Sequence, residues 1–249
     1  MTDAPPDEQL PPGAAPPVQT GRKEKSKGSF LRELVIIVVV ALALSFLVKT
    51  FLVQPFSIPS ESMENTLDVG DRILVSKLTP QHSPLHRGDV IVFEAPPSWG
   101  EIGPESTGLK AVVKNGLEWV GILPAGGHHV VKRLIGLPGD HVVCDATCAS
   151  SGGPLTVNGV AIDESAYLKP GNAPSGQKFD ITVPANSVWV MGDNRGDSWD
   201  SRGHDNGTGK TGSVPMSDIT GEVVAVAWPL NRIQSVSSDP EVFAKVPSP

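Results

Sequence analysis

The sequence predicts a mainly β protein, an antiparallel β domain behind a single membrane-spanning helix, and three observations carry that prediction. One apolar run near the N-terminus is long enough to cross a bilayer. Beyond it, short segments rich in branched residues alternate with Gly, Pro, Asn and Asp turns. The 249 residues, 39% of them hydrophobic, suffice for one sizeable domain or two small ones.

Residues 1–29 hold Pro5, Pro6, Pro11, Pro12, Pro16 and Pro17, then a basic cluster of Arg22, Lys23, Lys25 and Lys27. Such a stretch cannot bury enough apolar surface to offset its ordering entropy. A disordered tail is expected there. The formal charge of −7 comes from acids scattered along the chain, so no basic patch offers itself to nucleic acid.

The apolar run, Leu34 to Val53 within residues 30–53, carries one charge, Lys49, close enough to its end for the side chain to reach the headgroups. Basic residues precede it, so the positive-inside rule puts the N-terminus in the cytoplasm and the remainder of the chain outside. Ala41-Leu42-Ala43 imitates a signal-peptide cleavage site, but it lies in mid-run with more apolar residues after it. An uncleaved anchor is expected.

Strands are expected at Arg72 to Val75, Asp89 to Phe93, Val130 to Ile135, His141 to Cys144, Ser187 to Met191 and Glu222 to Ala227. Gly70-Asp71, Gly88-Asp89 and Gly139-Asp140 adjoin these strands, and their glycines suit positive-φ turns. Leu109 to Leu123 has helical spacing interrupted by two glycines. It could pack on the domain or lie in a membrane surface, since Trp119 and its lysines suit an interface. Cys144 and Cys148 fall in the exported part, where a disulfide is expected; a zinc site is the rival, with too few ligands nearby.

The candidate chemistry rests on a Ser and a Lys in separate signatures, Ile58 to Met63 and Val131 to Asp140. A serine hydroxyl needs a partner to take its proton, and no His is placed to do so. Lysine serves only when neutral; apolar neighbours such as Val130, Val131, Leu134 and Ile135 around Lys132 disfavour the ammonium. Taken singly, Ser62 reads as a turn residue, Lys132 as a solvated strand residue, and Asp193 to Arg202 as a polar loop or a calcium turn lacking the EF-hand Glu.

Their order says more. Pro59 to Met63, Gly70-Asp71, Arg87 to Phe93, Lys132 to Asp140 and Met191 to Arg202 resemble the ordered boxes of bacterial type I signal peptidases, over roughly residues 30–232 without an insertion at about 95–128. The resemblance implies a membrane-bound serine endopeptidase that removes signal peptides from secretory preproteins after small-x-small sites, near the export translocon and without a cofactor. It implies an extracytoplasmic catalytic domain over residues 54–236 with a cap region at about 141–186, leaving 237–249 as a flexible tail. Matched box by box, Ser62 is the implied nucleophile, Lys132 the base, and Ser60 the oxyanion donor beside the Ser62 N–H. Ser198 is the implied orienter of the lysine, and Asp200 with Arg202 a supporting ion pair.

Phe56, Ile58 and Ile73 are implied for the pocket of the third residue before the cut, and Met63, Leu67 and Val130 for the residue next to it, with Val131 touching both. Three residues depart from the pattern: Glu61 and Glu64 flank the nucleophile, and Asn65 stands where many relatives carry Pro. The alternative reading is an inactive membrane-anchored scaffold of the same fold. A soluble Ser-Lys autoprotease of the repressor type lacks its DNA-binding N-terminus here.

Overall fold

The computed structural model describes residues 27–80, 82–100 and 129–249. The chain divides into two compact units, Met1–Ala43 and Leu44–Pro249. The first holds most of helix α1 (Lys27–Phe51), whose large apolar side chains from Phe30 to Leu44 are exposed. Among the described residues no helix is long and apolar enough to cross a membrane. The run expected to span, Leu34 to Val53, continues past Ser45, the last of the α1 side chains described.

Every strand expected from the sequence forms: β2 (Arg72–Ser76), β3 (Val90–Glu94), β4 (His129–Gly136), β5 (His141–Cys144), β9 (Ser187–Met191) and β11 (Ile219–Trp228). The others are short or carry proline. They are β1 (Val53–Ser57), β6 (Thr156–Val157), β7 (Val160–Ala161), β8 (Phe179–Thr182), β10 (Val214–Pro215) and β12 (Gln234–Ser235). Among the described residues the larger sheet runs β1-β2-β11-β3-β4-β9-β10, with β12 on β11, and the smaller runs β7-β6-β5-β8. All pairings are antiparallel. Pro55 and Pro215 lie on β1 and β10, the two ends of the larger sheet, where a missing N–H breaks no ladder.

Successive side chains of a strand face opposite ways, and β3 and β4 use this to separate two cores. Val90, Val92 and Val131 pack with Phe56, Ile58, Met63, Leu67 and Ile73. Ile91, Phe93, Val130 and Leu134 pack with Trp99, Val188, Val190 and Ile219. A third core, centred on Trp189, Tyr167 and Leu155, joins the smaller sheet to β4 and β9.

Gly70, Gly88 and Gly139 take φ of +93°, +95° and +90°, each just before an Asp. The Asp carboxylate then accepts the backbone N–H three residues back: Asp68 to Asp71, His86 to Asp89 and Leu137 to Asp140. One turn, used three times, opens β2, β3 and β5.

Residues 237–249 correct the expectation of a flexible tail. A short helix, Pro240–Phe243, sets Phe243 and Val246 into the third core. Arg133 donates to the Ser237 carbonyl, and Arg87 and Asn158 donate to that of Pro247. Two apolar anchors and three buried or half-buried donors outweigh the entropy of ordering the segment. The expected helix at Leu109 to Leu123 and most of the 95–128 insertion lie outside the described residues. Ahead of them, Trp99 closes the second core edge-on to Phe93, with ring centres 5.5 Å apart.

Cys144 ends β5, and a second short helix, α2 (Ala146–Ser151), capped by the Asp145 carboxylate, returns Cys148 to it. The two cysteines are joined by a disulfide, with Cα atoms 5.2 Å apart.

Candidate active site

Ser62 lies in a 3-10 turn, Glu61–Met63, that follows the extended residue Ser60. The turn is anchored from within by Met63 and Leu67, both fully buried, and from outside by Asn194. The Asn194 backbone N–H donates to the Ser62 carbonyl at 3.1 Å, and its side-chain amide donates to that of Glu61 at 3.0 Å. Thr66 donates to Asp193, adding a second tie between the two loops.

Lys132 projects from β4 opposite Ile91, on the face that also carries Val130 and Leu134. Its Nζ donates to Ser62 Oγ at 2.6 Å and to the Val131 carbonyl at 3.1 Å. Burial disfavours the ammonium more than Asp200 and Asp193 favour it, and Arg202 repels it, so the pKa falls from 10.5 to about 8. Ser60 Oγ stands 3.4 Å from Ser62 Oγ.

Ser198 reaches the site from the other side but spends its proton on Asp200, at 2.7 Å. Asp200 is fully buried and accepts from both Arg202 Nε and Nη2, at 2.8 and 2.7 Å, and from the Gly192 N–H at 2.9 Å. Burial alone would raise its pKa, but these donors outweigh burial and hold it below the ordinary carboxylate value. Gly192 lies between the two serines. A Cβ there would stand 2.3 Å from Ser198 Oγ and 2.4 Å from the Ser62 carbonyl oxygen.

Of the residues expected to line pockets, Phe56, Ile58, Met63, Leu67, Ile73 and Val131 share one apolar cluster. Val130 packs against the other. Alternation along β4 requires this, and it puts Val130 on the face of Lys132 rather than among Met63 and Leu67.

Sequence reasoning assigned no role to Arg133, Asp193, Asn194, Arg195, Glu164 or Gly192. Arg133 grips both carboxylate oxygens of Asp193 at 2.8 Å and lies over the Tyr167 ring, 4.1 Å from its centre. Arg195 is paired with Glu164, which also accepts from the Tyr167 hydroxyl at 2.9 Å. Two carboxylates of the Asp193 to Arg202 run that suggested calcium, those of Asp193 and Asp200, are thus taken up by guanidiniums. Their signal was the run itself, whose alternating charges match partners distant in sequence and so invisible to local patterning.

A buried amine against a serine hydroxyl on an antiparallel β scaffold is the arrangement of a hydrolase that works without histidine. The comparisons with known proteins agree. The family model "Signal peptidase, peptidase S26" matches residues 31–228. A signal peptidase I of Mycobacterium tuberculosis is 38% identical, covering 92% of this chain and 83% of its own. One from Leptolyngbya laminosa is 31% identical over 90% of this chain and 93% of its own. A solved signal peptidase I from Enterococcus faecalis V583 covers 55% of this chain and 95% of its own at 25% identity, with a TM-score of 0.33, too low to compare sites residue by residue. The chain belongs to the signal peptidase family, peptidase S26, and is with it a serine peptidase.

Proposed function

We propose that this chain is a membrane-anchored serine endopeptidase that cuts signal peptides from secretory preproteins after small-x-small sites by a Ser-Lys dyad. The observation that carries this reading is the 2.6 Å contact between Lys132 Nζ and Ser62 Oγ. With the amine neutral, the serine hydroxyl becomes the donor and the lysine lone pair the acceptor.

Ser62 Oγ attacks the carbonyl carbon of the scissile bond while Lys132 takes its proton. The resulting oxyanion accepts from the Ser60 hydroxyl and the Ser62 N–H, and such donors are worth about 3 kcal/mol each in the transition state. Lysine then returns the proton to the leaving nitrogen as the C–N bond breaks, which leaves an ester on Ser62. Water, deprotonated by the neutral lysine, opens that ester and frees the signal peptide's carboxylate. Ser198, its own proton given to Asp200, has only lone pairs to offer. Lys132 Nζ is hydrogen-bonded to Ser62 and the Val131 carbonyl and not to Ser198; in this reading a shift of the amine toward Ser198 during the reaction lets the serine accept an N–H and turn the lysine lone pair toward Ser62, the orienting task a carboxylate performs in a Ser-His-Asp triad.

Phe56, Ile58 and Ile73 form the floor for the third residue before the cut, and Met63 and Leu67 that for the residue next to it, without Val130, which packs in the other cluster. Val131 touches both. These side chains are almost fully buried, so the surface they offer is shallow and suits small residues better than bulky ones. The exposed apolar side chains of α1 call for an apolar surrounding, which the bilayer supplies if the run to Val53 spans it. The basic residues before the run then hold the N-terminus in the cytoplasm and place the β unit outside, at the membrane surface beside the export translocon. Tethering there raises the effective concentration of membrane-held preproteins.

The test is cleavage of a preprotein by the purified full chain in detergent, alongside Ser62→Ala and Lys132→Met. Cleavage after a small-x-small site, lost in both variants, is expected. Undiminished cleavage in either removes the dyad, and no cleavage by the unaltered chain favours a scaffold.

A further inference from the structure

An open trough of about 490 Å³ lies on the far side of Ser198 from the dyad, and the mechanism above gives its space no role. Its walls include Asn172, Gly176, Gln177, Gly196, Ser198 and Trp199. None of these belongs to the apolar cluster assigned to residues before the cut. Ser198 is the shared wall: on one side it borders Gly192 and the Ser62 carbonyl, on the other it lines the trough.

We infer that this trough is the subsite for the stretch of preprotein that follows the scissile bond, held as an extended chain through its backbone. This rests on the peptidase reading above. The residues before the cut are assigned to Phe56, Ile58 and Ile73, none of which lines the trough, and Ser198, which faces the Ser62 carbonyl across Gly192, links the nucleophile turn to it. The volume is that of a ligand site.

The lining sets the chemistry. Arg195 and Arg202 reach the trough, but each guanidinium is already paired, with Glu164 and Asp200. The trough is therefore no anion site. Asn172 and Gln177 add amides, and the glycines leave main-chain groups uncovered, which suits recognition of a polypeptide backbone whatever its side chains. Trp199 is 71% exposed yet held in place edge-on to His204, which itself stacks on Trp99 at 4.3 Å. An exposed, fixed indole is a flat apolar surface for a passing chain.

The test uses the full chain carrying Ser62→Ala, so that peptides bind without being cut. Two synthetic peptides share a small-x-small segment; one ends just past the cut and the other continues for several residues. Calorimetry should show the longer binding about tenfold tighter, the worth of one or two net hydrogen bonds. Gly176→Leu added to this chain fills the trough, because a side chain there starts into open space without backbone strain. It should reduce the tenfold gain to about one, and Trp199→Ala should reduce it in part. Equal affinity for both peptides overturns the subsite, as does a full gain in Gly176→Leu or an equal loss for both peptides. Because the readout is binding, it is separate from the preprotein cleavage that tests the peptidase reading.

Discussion

Lys132 Nζ and Ser62 Oγ lie 2.6 Å apart, although a β strand supplies one and a 3-10 turn 70 residues earlier the other. With the lysine pKa lowered to about 8 by burial, the neutral base is present at mildly alkaline pH and scarce in acid. The value of kcat/KM should therefore rise through pH 8 and level off above it, and fall about a hundredfold from that plateau at pH 6. A flat profile across this range would remove lysine as the base.

The same burial costs stability. Between pH 8 and 10.5 the unfolded chain binds a proton at this lysine that the folded chain does not, so stability rises with pH through that window. Below pH 8 the folded protein bears the whole cost of a buried ammonium. Lys132→Met should then be inactive yet more stable at pH 7, by up to about 3 kcal/mol, with a gain that shrinks toward pH 10. Denaturant midpoints at the two pH values measure it; a variant less stable at pH 7 contradicts the account.

Gly192→Ala tests how closely the two loops meet. Its methyl group would overlap Ser198 Oγ and the Ser62 carbonyl, neither of which can yield without moving the nucleophile turn or Asp200's partner. A displacement of about 1 Å can cost a hundredfold in rate, and a loss of that size in kcat is expected. Near-normal turnover would mean the loops have slack.

How much of this was readable from the sequence depends on range. The strand runs from Arg72, Val130 and Ser187 were legible because alternation and turn residues are local signals, and the glycines of the Gly-Asp turns take the positive φ they suggested. Strand β1 was not, because Pro55 argues against a strand until its edge position is known. Arg133 was not either: nothing beside it in sequence shows that Asp193, Gly88 and Ser237 converge on one guanidinium. Phe243 and Val246 looked like tail residues because their core lies in the other sheet.

Asn65 illustrates a departure that the backbone explains. Its φ is +87°, a region that Asn tolerates and proline, locked near −65°, cannot enter. Its side-chain amide donates to the Tyr167 carbonyl at 3.0 Å. Asn65→Gly should keep the turn and lose about 1 kcal/mol with that bond. Asn65→Pro, the residue the family resemblance leads one to expect there, should cost on the order of 2 kcal/mol and reduce kcat with it. Thermal unfolding of both decides; a harmless proline would show that the turn can adopt a second conformation.

Arg133 and Asp193 form the most buried ion pair next to the base, with 1% and 0% side-chain exposure. Removing one partner leaves the other charged without compensation, so Arg133→Met should cost about 3–5 kcal/mol. Arg133→Lys should not rescue it, since one ammonium cannot hold both Asp193 oxygens and the Gly88 carbonyl in the planar fork the guanidinium provides. Replacing both partners, Arg133→Met with Asp193→Leu, removes the stranded charge and should recover a large part of the loss. Denaturant unfolding of the cycle measures the coupling. Strict additivity of the two single losses would mean that the pair does not act as a unit, and that Asp193 is held chiefly by Thr66 and its backbone.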